Sequence, residues 1–206
     1  GMERDLFVVK FLEKMGDEST LHASLYEGVI EFLSSFLENL KSQNQSVLLC
    51  SWTQGNVFLQ TRKSQIFQNL IPREFLAKPS IYASLDKIGL LPNTYQDLKD
   101  QGCDLICLID DRLVNVLAAR TVLHSQPALY IHKIRPDKNI THRLQEEDEN
   151  LFESKNWGEI EKIINKKSFR KLGLILDKDG IIFNTTIYRE LLEQSLVDFA
   201  ESFLVS

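Results

Sequence analysis

Two spacings of apolar residues alternate along the chain. Short continuous apolar runs occur at 46–52 (SVLLCSW), 104–110 (DLICLID), 128–132 (ALYIH) and 171–177 (KLGLILD). Such runs predict strands buried on both faces. Between them lie segments with a helical repeat. The strongest is 25–42, where Val29, Phe32, Leu33, Phe36, Leu37 and Leu40 form one apolar stripe. Helices are also predicted over 3–15, 56–69, 80–88, 112–124, 157–165 and 186–204. Tyr188, Leu192, Leu196, Phe199 and Phe203 give the last its stripe. The segment 135–154 is polar, carries both charge signs and has little periodicity, so a surface loop is expected there. Its acidic run EEDEN reads as a solvated face.

Buried strands alternating with amphipathic helices predict an α/β fold with a doubly wound parallel sheet. Sheets of this kind bind ligands at the carboxyl ends of their strands. The residues that end the strands are therefore the candidates for chemistry. They are Trp52-Thr53-Gln54, Asp110-Asp111, His132-Lys133 and Asp177-Lys178-Asp179.

The 206 residues suffice for one domain with a sizeable core. Apolar residues make up 43% and charged residues 26%, an ordinary globular balance that excludes disordered and fibrous classes. The net charge of −5 supplies no general field for nucleic acid or anionic lipid, so neither partner is expected. No apolar run of membrane length and no cleavable leader pattern is read, which makes the expected location cytoplasmic. Cys50, Cys103 and Cys107 lie in or beside strand runs and read as buried free thiols; no metal-site spacing accompanies them. The four histidines show no ligand spacing either.

Two strand ends carry paired carboxylates, Asp110-Asp111 and Asp177-x-Asp179. Acids converging from neighbouring strands repel unless a cation lies between them, and oxygen donors suit a hard ion such as Mg²⁺. Each pair also has a plain reading. Asp111 can cap the helix that follows it, and Asp179-Gly180 can be a simple turn.

Read in order, these segments resemble the motifs of the haloacid dehalogenase-like hydrolase superfamily. SWTQGNVFLQTRKSQIF is similar to its second motif, with Thr53 at the hydroxyl position and Gln60 and Lys63 following. AKPSIYASLDKIGL is similar to the third, with Lys78 as its lysine. LICLIDDRLVNVLAAR resembles the fourth, with Asp111 as principal metal ligand, Asp110 beside it and Asn115 one turn on. The first motif belongs before these three, and the N-terminal segment has no DxD. KLGLILDKDGIIFNTT supplies the pattern near the other end of the chain, with Ile181 where the family usually has Thr. The resemblance thus implies a circular permutation rather than a second domain cut short. It implies a single Rossmann-like domain over 1–206, a first-motif strand at 171–177 placed in the middle of the sheet, and a small helical cap from about 3–24 and 186–206.

The function so implied is a Mg²⁺-dependent phosphohydrolase acting on a small phosphate ester. Asp177 would be the nucleophile that becomes an aspartyl-phosphate, and Asp179 the acid and base. Thr53 and Lys78 would hold phosphate oxygens, and Asp177, Asp179, Asp111 and Asp110 would surround the metal. The alternative is a non-catalytic module of the same fold that binds a phosphorylated ligand or a partner protein. Neither the substrate nor the oligomeric state is legible.

Overall fold

The computed structural model describes residues 18–26, 28–124, 126–135 and 148–204, together with Glu13 and Leu144. Six strands form one all-parallel sheet. They are β1 (Ser46–Gln54), β2 (Leu76–Ser84), β3 (Leu105–Asp110), β4 (Ala128–Lys133), β5 (Leu151–Ser154) and β6 (Lys171–Leu176). Their spatial order is β2-β1-β6-β3-β4-β5. β6 therefore lies at the centre, paired with β1 from Ser46↔Lys171 to Ser51↔Leu176 and with β3 from Leu105↔Leu172 to Ile109↔Leu176.

Alternation along the strands divides the core in two. Val47, Leu49, Cys107, Ile109, Leu172 and Leu174 face one layer; Leu48, Cys50, Trp52, Ile106, Leu108 and Ile175 face the other. The first layer is covered by α2 (Val29–Ser42), α3 (Val57–Asn69) and α6 (Trp157–Asn165). The second is covered by α4 (Lys87–Asp100) and α5 (Leu113–Val122). Helices on both faces of a parallel sheet make the architecture doubly wound, as the alternating pattern predicts. Two further helices are described, α1 (Glu18–Ala23) and α7 (Thr185–Leu204), and they pack on each other. No helix of the described residues is long and apolar enough to cross a membrane.

The structure corrects three sequence expectations. The stripe over 25–42 is helical only from Val29, because Gly28 has φ 71° and Leu25 pairs antiparallel with Phe183. A left-handed glycine ends the helical path there. Residues 80–88 are not a helix. Most belong to β2, an edge strand that tolerates Pro79, and the true helix begins at Lys87. Asp86 caps it, its carboxylate accepting from the Gly89 amide at 3.0 Å. The polar stretch 135–154 ends in β5, where Leu151 is buried. A four-residue strand with two large apolar side chains is too short to show a period. The predicted helix over 3–15 lies outside the described residues, Glu13 excepted, as do 136–143 and 145–147 of the predicted loop.

Candidate functional site

The carboxyl ends of β1, β6 and β3 stand side by side, and their last residues meet at one open cavity of about 500 Å³. Thr53, Lys87, Asp111, Arg135, Asp177 and Asp179 are among the residues that line it. Asp177 directly follows the central strand, its amide still donating to the Ile109 carbonyl at 2.9 Å. The chain then turns sharply. The Ile182 and Phe183 amides donate to the Lys178 carbonyl, each at 2.9 Å. Ile181, Ile182 and Phe183 are fully buried and pin this turn to the core. Asn184 caps α7 through the Thr186 and Ile187 amides.

Asp110, Asp111 and Asp177 each offer an oxygen within 4.8 Å of the others. The two adjacent aspartates have different surroundings. Asp110 is fully buried and surrounded by donors: Lys87 at 2.6 Å, the Arg112 amide at 2.8 Å and the Asn115 amide group at 3.1 Å. Asp111 faces the cavity, where Arg135 donates to its Oδ2 at 3.3 Å. It does not cap α5, whose first turn follows Arg112. Gly180 lies against it. A Cβ at that glycine, which has φ 94°, would come within 2.2 Å of Asp111 Oδ2. The Asp179-Gly180 turn thus makes room for the Asp111 carboxylate.

Burial pushes the Asp177 carboxyl well above its ordinary range, and the nearby Asp110 charge adds to this; Lys87 opposes it. Lys87 Nζ lies 3.2 Å from Asp177 and 2.6 Å from Asp110. Burial lowers its pKa, but the two aspartates outweigh that and the net shift is upward, so it stays an ammonium. Trp52 packs beneath it, with Nζ 4.3 Å from the ring and the indole N–H donating to the Lys87 carbonyl at 2.7 Å.

Asp179 turns the other way. Its carboxylate accepts from Lys178 at 3.1 Å, Gln60 at 3.2 Å and Lys63 at 3.5 Å. Burial raises its pKa, yet Lys178 and Lys63 outweigh that and hold it below the ordinary carboxylate range. Lys178 is itself fully buried, which brings its pKa down to about 8.

The fold gathers Thr53, Asp110, Asp111, Asp177 and Asp179, the acids and the hydroxyl that the sequence singles out. It does not bring in Lys78. That residue is exposed near the start of β2, where its backbone pairs with the Gln101 side chain at the far end of α4. The 14 residues of α4 separate it from the cavity, a span of about 20 Å. Lys87, at the near end of the same helix, occupies the cavity instead. A lysine directly after a helix cap, beyond a strand, was the signal available for it. Arg135 carried no motif signal, and Lys178 was marked only by its place at a strand end between the two aspartates. Searches of protein-family models, curated proteins and solved structures find no match to the chain.

The donor set suits a metal. Three carboxylates from two neighbouring strands present oxygen only, the chemistry of a hard divalent cation. Asp111 and Asp177, which line the cavity, would hold it; Asp110, already surrounded by donors, would support them from behind.

Proposed function

We propose that the chain is a Mg²⁺-dependent phosphohydrolase that takes a phosphoryl group from a small phosphate ester onto Asp177. The observation that carries this reading is the position of Asp177. It directly follows the central strand and faces the cavity between Thr53 on one neighbouring strand and Asp111 just beyond the other. The charge inventory agrees with it. Asp110, Asp111, Asp177 and Asp179 stand against Lys63, Lys87, Arg135 and Lys178. Arg112 also lines the cavity, so the bases outnumber these four acids by one, which favours an anionic ligand. The first-motif resemblance of 171–186 adds the expectation that Asp177 is the nucleophile.

In this reading an Asp177 carboxylate oxygen bonds to phosphorus as the ester P–O bond breaks; the alkoxide takes a proton from solvent and leaves as the alcohol, and an aspartyl-phosphate remains. Lys87 and the Thr53 hydroxyl hold the phosphoryl oxygens; Lys87 takes the part that the sequence assigned to Lys78. Mg²⁺, when bound, neutralises charge on the transferring group. Asp179 enters as a carboxylate, the form that activates water against the acyl-phosphate.

A second reading, a non-catalytic module that binds a phosphorylated ligand, draws on one observation. Three donors occupy Asp179 and keep it ionised, which removes the ready proton donor for a leaving alkoxide. One experiment separates the readings. Beryllium fluoride on an aspartate mimics the acyl-phosphate, so thermal unfolding with Mg²⁺ and beryllium fluoride needs no known substrate. At a hundred times its dissociation constant the ligand adds about 2.7 kcal/mol. Stabilisation of the wild type but not of Asp177→Asn supports the nucleophile. Equal stabilisation of both leaves binding without covalent chemistry, and no response in either removes the phosphoryl site altogether.

A further inference from the structure

Lys178 lies between the two aspartates of the first-motif segment, yet its ammonium turns away from Asp177. It is fully buried, and its Nζ meets three acceptors: Gln60 Oε1, Asp179 Oδ2 at 3.1 Å and Thr53 Oγ1 at 3.3 Å. An ammonium has three protons and no lone pair, so these contacts use all it can donate. The Gln60 amide is consistent with this. Its Nε2 donates to the Gln54 carbonyl at 2.8 Å and to Asp179 Oδ2 at 3.2 Å, which leaves Oε1 to accept from Lys178.

The consequence falls on Thr53. Its oxygen receives a proton from Lys178, so its own O–H must point elsewhere. Among the described residues no acceptor takes that proton, and Thr53 lines the cavity beside Asp177. We propose that Lys178 is a positioning residue that, held by Gln60, orients the Thr53 hydroxyl as a donor into the cavity for an anionic phosphoryl oxygen. The proposal rests on the phosphoryl-site reading above. It also accounts for a buried charge at this position. Replacing a whole buried ion pair by hydrophobes is often neutral or stabilising for the fold, whereas removing one partner leaves the other charge uncompensated.

The test measures Mg²⁺-dependent binding of beryllium fluoride, and separately of inorganic phosphate, by calorimetry. Lys178→Met leaves Asp179 with Lys63 as its remaining lysine and should unfold at a lower temperature than the wild type, while its dissociation constants rise about ten- to a hundredfold, as for a lost hydrogen bond to a charged group. Thr53→Val should show a similar rise. The double variant should match Thr53→Val to within about twofold, since Lys178 acts through that hydroxyl. Gln60→Met, which frees the ammonium, should give a smaller rise in the same direction and serves if Lys178→Met does not fold. Wild-type affinity in Lys178→Met or Gln60→Met overturns the proposal, and so do losses that multiply in the double variant. If the wild type binds neither anion, the phosphoryl-site reading fails first and this inference with it.

Discussion

Asp177 and Asp179 leave one turn two residues apart and end in opposite surroundings. Asp177 faces other acids, with burial and Asp110 pushing its pKa up and Lys87 as its counter-charge. Asp179 faces bases, and Lys178 and Lys63 hold its pKa down despite burial. The sharp turn after Asp177, closed by the Ile182 and Phe183 amides on the Lys178 carbonyl, sends the two side chains to different neighbours, so two identical residues acquire different chemistry from position alone. Surroundings that drive the pKa values of two like groups apart give them different protonation states over the pH range between. In the proposed reading the cation belongs beside Asp177. The Asp179 side is already satisfied by lysines, and the Asp177 side still repels itself.

Removing the chemistry from one side gives the largest effect. Asp177→Asn should lower turnover of any phosphate ester the wild type accepts by about a thousandfold or more, with the fold retained. Steady-state assays beside circular dichroism check this, and near-wild-type turnover would discard Asp177 as nucleophile.

Next comes the counter-charge. Lys87→Met leaves Asp110 and Asp177 buried without their ammonium, a change expected to cost about 3–5 kcal/mol of stability. Urea unfolding without divalent ions measures it, and Mg²⁺ should recover part of the loss in the variant. A loss that Mg²⁺ does not touch would mean that Lys87 and the metal do not share a site.

A milder break comes from the turn between the two acids. Gly180→Ala adds a Cβ in a left-handed backbone, against Asp111. It should destabilise by about 1–3 kcal/mol and weaken Mg²⁺ binding, read by titration calorimetry. Unchanged Mg²⁺ affinity would separate Asp111 from the metal.

The pH dependence of unfolding without divalent ions should separate the two acids by sign. Native Asp177 keeps its proton above the ordinary value of 3.8, where the unfolded chain has lost it. Its contribution therefore weakens the fold as pH rises from there through its raised native value. Native Asp179 stays ionised below 3.8, so its contribution is lost as pH falls from there through its lowered native value. Asp177→Asn should flatten the first slope and Asp179→Asn the second. The same slope surviving in either variant would refute that assignment. The smallest effect belongs to Lys78→Met, within about 0.5 kcal/mol and with no change in anion binding.

The contrast between Lys87 and Lys78 shows what was legible. Apolar runs revealed four of the six strands, because strands covered on both faces need continuous hydrophobicity. β2 was hidden: Lys78, Pro79 and Ser80 interrupt an edge strand that has only one neighbour to satisfy. Losing that strand misplaced the helix after it, and with it the lysine of the site. β5, another edge strand, escaped for the same reason. The acids were legible because strand ends fall where ligands bind, and local pattern marks strand ends. The contacts of Arg135 and Lys178 were not, because they are with Asp111, Thr185, Gln60 and Thr53, which are brought to them only by the closed sheet.

The central place of β6 bears on how the chain is made. During synthesis β1 to β5 leave the ribosome before β6, yet β1-β2 and β3-β4-β5 join only through it. Until then the nascent chain carries two unpaired backbone edges, one on β1 and one on β3. Unpaired edges of this kind recruit other strands, so the interval before residue 171 emerges is when this chain is most open to pairing with another.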